Sequence, residues 1–171
     1  MIAYLYFMSK ETTSAFTHLD AAGNPAMVDV GAKRVSHRVA RARSIVVLGE
    51  TIMQHLQGEE LHLKKGPVFQ TAIIAGTMAA KKTGDLIPLC HPLGLENIQV
   101  DISVNEDREV VIDCTASLHG KTGVEMEALT GATVAALTIY DMCKALSQDI
   151  VIKSTQLMEK RGGKHDFIRE S

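Results

Sequence analysis

Ile98-Gln-Val-Asp-Ile-Ser-Val104 alternates apolar and polar residues without a break, and Val110, Ile112, Cys114, Ala116 and Leu118 repeat the pattern shortly after. A period of two puts every second side chain on one face, so each segment reads as a half-buried strand. Asn105-Glu-Asp107 between them supplies turn residues, which makes the pair an antiparallel hairpin. Outward from the hairpin, Gly66-Pro67 opens a long helix with Pro at its first position, where the missing N–H costs nothing. That helix is expected to end near Gly84, with Lys81 and Lys82 complementing its dipole. On the other side, Thr122-Gly-Val-Glu125 has the spacing of a capping box and starts a second helix running to about Ser147. Lys33 to Leu48 reads as the first long strand and Ile150 to Glu159 as the last. Thr51 to Gln57 reads as a short helix, and Arg161-Gly-Gly-Lys164 as the start of a flexible tail. The order βαββαβ predicts a ferredoxin-like α+β domain of two layers, an antiparallel sheet covered by long helices.

The chain has 171 residues, the size of one domain. With 46% hydrophobic and 22% charged residues it has ordinary globular composition, which excludes global disorder. Aromatic residues are only 4% and Trp is absent. The core must therefore be aliphatic, and nucleic-acid binding by base stacking is disfavoured. A formal net charge of −2 gives no chain-wide attraction to nucleic acid or an anionic membrane, but leaves room for a local site for a small anion. Cys90, Cys114 and Cys143 are odd in number and form no CxxC pair, so no disulfide framework is expected and a cytoplasmic location fits. The uncharged run Ala128 to Tyr140 falls short of the roughly 20 residues a membrane span needs. Residues 1–15 read as an extension ahead of a single domain at 16–171. Met1 to Met8 lacks the basic start and A-x-A site of a signal peptide. Two readings stay open there, a poorly ordered extension and initiation at Met8.

Four segments carry polar residues that packing does not demand. In Pro88-Leu-Cys-His-Pro92 two prolines stiffen a loop that holds His91. By spacing alone, a tight turn with His91 bonded to backbone is the simpler reading, and presentation of His91 to a ligand is the other. Adjacent Cys90 and His91 lack zinc spacing and a second ligand pair, so no metal ligands are assigned. In Gly120-Lys-Thr-Gly-Val-Glu-Met-Glu127, a helix N-terminus follows two glycines and a lysine, a natural anion site, though without Walker A spacing. Glu125 reads first as a helix cap. Either Glu125 or Glu127 can also accept the paired donors of a guanine-like ligand. Asp141 and Lys144 lie on one helix face. They form either a surface ion pair, worth under ~1 kcal/mol, or a partly desolvated acid–base pair with shifted pKa values. Finally, Lys33, Arg34, Arg38, Arg41 and Arg43, then Lys64 and Lys65, then Lys160, Arg161 and Lys164 make three cationic clusters. Each alone is a solvated face; together they suggest a multiply charged small anion.

Longer blocks add a family resemblance. These are Phe16-Thr-His-Leu-Asp20, Met27-Val-Asp-Val30, Ile74-Ala-Gly76, Ala79-Ala-Lys81, Asp85-Leu-Ile-Pro-Leu-Cys-His-Pro92, Gly120 to Thr130, Val134 to Lys144 and Gly162-Gly-Lys164. From about Phe16 to Phe167 the chain resembles the MoaC family, the cyclic pyranopterin monophosphate synthases of molybdenum cofactor (molybdopterin) biosynthesis. The resemblance implies a lyase. It would convert 3',8-cyclo-7,8-dihydroguanosine 5'-triphosphate, made by the radical enzyme MoaA, to cyclic pyranopterin phosphate with release of diphosphate. It implies no redox cofactor, and nothing in the sequence speaks for or against Mg²⁺. It also implies a homohexamer, a trimer of dimers with sites lined by two chains, and no nucleic-acid or membrane partner. By position, Asp141, Lys144 and Lys65 match the family's catalytic residues. Leu89, Cys90, His91, Met126, Glu127, Glu125, Arg38 and Lys160 match its substrate-binding positions. Three places depart from the common pattern: Pro67 stands for an Asp, Ile73 for an Arg, and the tail reads Gly-Gly-Lys164-His-Asp. A non-catalytic ferredoxin-like binding module is the competing reading, and joint presence of Lys65, His91, Glu127, Asp141 and Lys144 argues against it. A Cys/His metal protein is the third.

Overall fold

The computed structural model describes residues 23–170, so the extension at 1–15 and the Phe16 to Asp20 block lie outside the described residues. The elements in chain order are β1 (Ser36–Val47), α1 (Glu50–Met53), β2 (Leu56–Gln57), β3 (Glu60–Leu63), β4 (Gly66–Pro67), α2 (Val68–Lys81), α3 (Thr83–Leu86), β5 (Asn97–Val104), β6 (Val110–Gly120), α4 (Glu125–Cys143), β7 (Val151–Arg161) and β8 (Phe167–Ile168). The hairpin at 98–118 forms in the register its alternation requires, with Val104 opposite Val110 and Ile98 opposite Ala116. Its turn closes through Arg108 N–H to Asn105 O, with Arg108 at φ 59°. The sheet order is β5-β6-β1-β7-β8 with every pairing antiparallel. Its four long strands thus lie in the order second, third, first, fourth, the ferredoxin-like topology expected from βαββαβ.

Strand parity decides which residues meet the helices. Ala40, Ala42, Ser44 and Val46 of β1 and Val110, Ile112, Cys114, Ala116 and Leu118 of β6 are buried on one face. The helices α2 and α4 lie across that face, and where they meet, each presents a glycine. A Cβ on Gly76 would stand 2.8 Å from the Gly131 carbonyl oxygen, and one on Gly131 would stand 2.5 Å from Cys114 Sγ. Ala72, Ala79, Ala80, Ala128, Ala132, Ala135 and Ala136 complete the small-residue contact. The scarcity of aromatic residues follows from this geometry, because helices this close leave no room for rings.

Several local expectations are corrected. Thr51 to Gln57 is a four-residue helix followed by a small hairpin, β2–β3, which pairs on to β4. Pro67 is the N-cap of α2 rather than its first turn, and α2 ends at Lys81, before the separate turn α3. The capping box does not form: Val124 is the N-cap of α4 and no side chain caps it. That helix stops at Cys143, short of Ser147. The final strand runs on to Arg161, and the expected flexible tail turns at Gly162, φ 81°, so that β8 pairs back on β7. Among the described residues no helix is long and apolar enough to cross a membrane.

Gly76→Ala tests the helix contact. Ala gains up to about 1 kcal/mol of helix propensity, but its methyl meets a backbone carbonyl that cannot rotate away, and overpacking costs roughly 1–3 kcal/mol. The urea midpoint is expected to fall by the equivalent of about 1–2 kcal/mol with the slope unchanged.

Candidate active site

Pro88 to Leu93 and the entry to α4 enclose a cavity of about 590 Å³. Leu89, Cys90, His91, Glu125, Met126, Glu127 and Lys160 line it together with Lys33, Thr122 and Gly123. Seven of the eight expected substrate-binding residues therefore meet in one place. The eighth, Arg38, is not among the lining residues; its Nε donates to the Gly120 carbonyl (3.4 Å), beside the cavity's glycine loop. The opposite wall, Val28 and Val30, is tied down by two contacts: Lys121 Nζ donates to Gly31 O (2.6 Å), and His91 Nε2 bonds Val28 O (3.0 Å). His91 bonds backbone as the tight-turn reading expects, and it also lines the cavity.

Glu127 is the buried charge of the site, 3% exposed. Burial raises its pKa above the ordinary carboxylate range, and the neighbouring Glu125 carboxylate adds to the rise. Burial and then Glu127 likewise raise the Cys90 thiol, which disfavours its thiolate form. Glu125 does not cap its helix as expected; it reaches across to Lys160 of β7 (Nζ–Oε1 3.3 Å). The cavity thus holds one carboxylate paired with a lysine and one, Glu127, without a cation beside it among the described residues, whose only opposing influence is a backbone hydrogen bond.

Lys65, Asp141 and Lys144 form a separate cluster. Lys144 Nζ lies 2.7 Å from Asp141 Oδ1, and Lys65 Nζ lies 3.3 Å from Oδ2 and 3.0 Å from the Asp141 carbonyl oxygen. The cluster is open to solvent, with Asp141 58% exposed. Hydrogen bonds from Lys144, then Lys65, lower the Asp141 pKa. The bond to Asp141 raises that of Lys144, so Lys144 is not driven toward neutrality by desolvation as an acid–base lysine would be. Lys65 sits in the turn between β3 and β4, and an unexpected residue positions that turn. Glu60 of β3 caps α2 from outside the helix: Oε1 accepts from Phe69 N (2.8 Å) and Oε2 from Gln70 N (3.1 Å). Only the placement of β3 reveals this role, since no local capping motif spans 60 to 70. A second cavity, about 410 Å³, adjoins Lys65 between His55, His62 and Met142.

Asp141 and Glu127 are on the same helix, α4, fourteen positions apart. At 1.5 Å per residue that is roughly 21 Å. Nor do the cations all gather at one site. Arg41 and Arg43 point to the other face of the sheet, where both bond Asp113, the latter with two bonds (3.1 and 2.7 Å). Ile73, at the position where an Arg is common, packs against the core. Among the described residues no group of three His, Cys, Asp or Glu side chains is placed to hold a metal ion.

Fold and cavity define an α+β domain of ferredoxin-like topology with an ionic pocket at the N-terminus of one long helix. The model of the MoaC family matches residues 27–163. A molybdenum cofactor biosynthesis bifunctional protein of Synechocystis is 54% identical over 155 residues, covering 88% of this chain and 45% of that protein. Molybdenum cofactor biosynthesis protein 1 of Dictyostelium discoideum is 47% identical over 166 residues, covering 87% of this chain and 26% of its own length. This chain belongs to the MoaC family. It spans less than half the length of these two relatives.

The raised Glu127 pKa has a measurable consequence. A carboxyl raised by folding contributes its full share below the ordinary carboxylate pKa and loses it as pH climbs through the raised value. Glu127→Gln removes that loss. The variant is expected to match the parent near the ordinary carboxylate pKa and to melt progressively higher than the parent as pH rises above it. A melting difference that does not change with pH would contradict it.

Proposed function

We propose that this protein is a cyclic pyranopterin monophosphate synthase, a lyase of molybdenum cofactor biosynthesis located in the cytoplasm. Its substrate is the cyclised GTP intermediate, 3',8-cyclo-7,8-dihydroguanosine 5'-triphosphate, supplied by MoaA, and its products are cyclic pyranopterin phosphate and diphosphate. The observation that carries this reading is the pocket. It pairs a buried carboxylate, able to accept amine donors, with Lys33, Lys160 and a glycine-rich loop suited to phosphate. Family membership and the names of the two relatives support the pathway.

In this mechanism Glu127 accepts the amine and ring N–H of the guanine-derived ring. Lys33 and Lys160 neutralise phosphate charge, and Lys65 and Lys144 stabilise the negative charge on departing diphosphate. Asp141 takes protons and Lys144 returns them during ring opening and closure. Closing the cyclic phosphate requires a hydroxyl oxygen to attack the α-phosphorus. Its proton passes to the base as the bond to the β-phosphate oxygen breaks.

The roughly 21 Å between Glu127 and Asp141 is too far for both to serve one substrate in one chain. We propose that two copies complete each site within a hexamer, a trimer of dimers. Met126, Thr130, Thr133, Leu137 and Asp141 recur at helical spacing along the outer face of α4, where Met126 and Leu137 are 39% and 52% exposed. Two such helices laid antiparallel about a two-fold near Thr133 and Val134 bring one copy's Lys65–Asp141–Lys144 cluster to the other copy's pocket, twice over. The cationic cluster then faces the acidic pocket, and desolvation there reverses the exposure seen in the single chain.

The decisive assay incubates the protein with the cyclised intermediate and measures pyranopterin and diphosphate. Asp141→Ala and Glu127→Gln are each expected to lose at least about 100-fold in turnover. Mixed in equal amounts and allowed to exchange subunits, they should recover about a quarter of parental activity, because half of the dimers carry one intact site. No recovery after proven exchange would place each site within one chain.

A further inference from the structure

His37 of β1 and His119 of β6 are direct cross-strand partners. They share strand parity with Arg41, Arg43 and Asp113, so they face away from the helices and from the pocket. Their ring centroids are 4.8 Å apart with planes inclined at 31°. Glu96, just ahead of β5, holds one of the two in place: Oε1 accepts from the His119 backbone N–H (3.1 Å) and Oε2 meets His119 Nδ1 at 2.9 Å. In the tautomer whose Nδ1–H donates to Glu96, Nε2 of His119 keeps its lone pair, on a side chain that is 60% exposed.

This arrangement has the dimensions of a chelate. A metal–nitrogen bond of about 2.0–2.1 Å puts an imidazole centroid roughly 3.2 Å from the ion. Two imidazoles at about 90–109° about that ion then have centroids roughly 4.5–5.2 Å apart. The observed 4.8 Å falls inside this interval. The Glu96–His119 contact is the carboxylate–histidine pairing that fixes tautomer and ring orientation at metal centres. Ring stacking alone also allows the 4.8 Å spacing, but it does not call for the Glu96 clamp on His119.

We propose that His37 and His119 form a two-histidine site for a divalent transition-metal ion, with Glu96 as its positioning residue. No third His, Cys, Asp or Glu closes the site among the described residues, so water fills the remaining positions and the ion stays exchangeable. The site is separate from the pocket and from the Lys65 cluster. It bridges β1 to β6 at His119, directly ahead of Gly120 and the loop that forms the pocket wall. Occupancy therefore stiffens the exit of β6 into that wall. Zinc is the test ion, and copper is expected to bind more tightly in keeping with the general order of divalent affinities.

The test is isothermal titration of the metal-stripped full chain with zinc chloride near about pH 7.5, where imidazoles are largely neutral. One ion per chain is expected with a Kd below about 1 mM, together with a rise in melting temperature that grows with zinc concentration. His37→Asn and His119→Asn should each abolish that uptake. Glu96→Gln should weaken it roughly 10–100-fold while leaving the zinc-free melting temperature unchanged. Absence of binding by the parent at about 1 mM zinc, or equal uptake by either histidine variant, would overturn the proposal and leave a stacked pair beside a carboxylate.

Discussion

The contact of Gly76 with Gly131 is the constraint on which the rest of the fold depends. Two helices that touch at backbone distance can both lie flat on a sheet face of alanines, valines and one buried cysteine. That closeness excludes large side chains from the contact. It also leaves α4 as a helix of nineteen residues with a candidate residue group at each end. Cys114, directly beneath Gly131, is sealed so well that its pKa is pushed up to about 12, which keeps it an inert packing group.

Around this frame the charged residues are sorted by strand parity and helix end rather than by sequence proximity. The cations of β1 read as one cluster along the chain. Arg41 and Arg43 share Asp113 on the other sheet face, while Lys33 goes to the pocket. Glu125 and Glu127, two residues apart, have opposite fates. One finds Lys160 across the sheet edge, and the other is buried with its pKa raised. The same logic places Lys65, which depends on Glu60 capping α2 from the neighbouring hairpin. A polar side chain in this protein is explained by what crosses to meet it from another element.

Much of this was legible in the residues. Alternation from Ile98 to Leu118 exposes the hairpin because a period of two has no other stable use at that length. The helices at 68–81 and 125–143 follow from their small and aliphatic runs. The grouping of Pro88 to Pro92 with Gly120 to Glu127 into one pocket agreed with the resemblance. Errors concentrated at helix starts and short elements. Capping by Glu60 replaced a local motif, and Val124 took the N-cap that Thr122 was expected to hold. Such ends are decided by contacts distant in sequence, which local spacing does not encode.

The sequence by itself determined the class, the order of the main elements and the family, and it singled out candidate site residues, because these rest on periodicity and on residue type. The tertiary structure alone decided that most of the candidate residues form two groups, one at each end of α4. It decided too that Glu127 is buried while Asp141 is exposed, and that His37 and His119 stand side by side. The physical reason is that distance and desolvation are properties of packing. A helix converts fourteen positions into roughly 21 Å, and a strand pair turns residues 37 and 119 into neighbours.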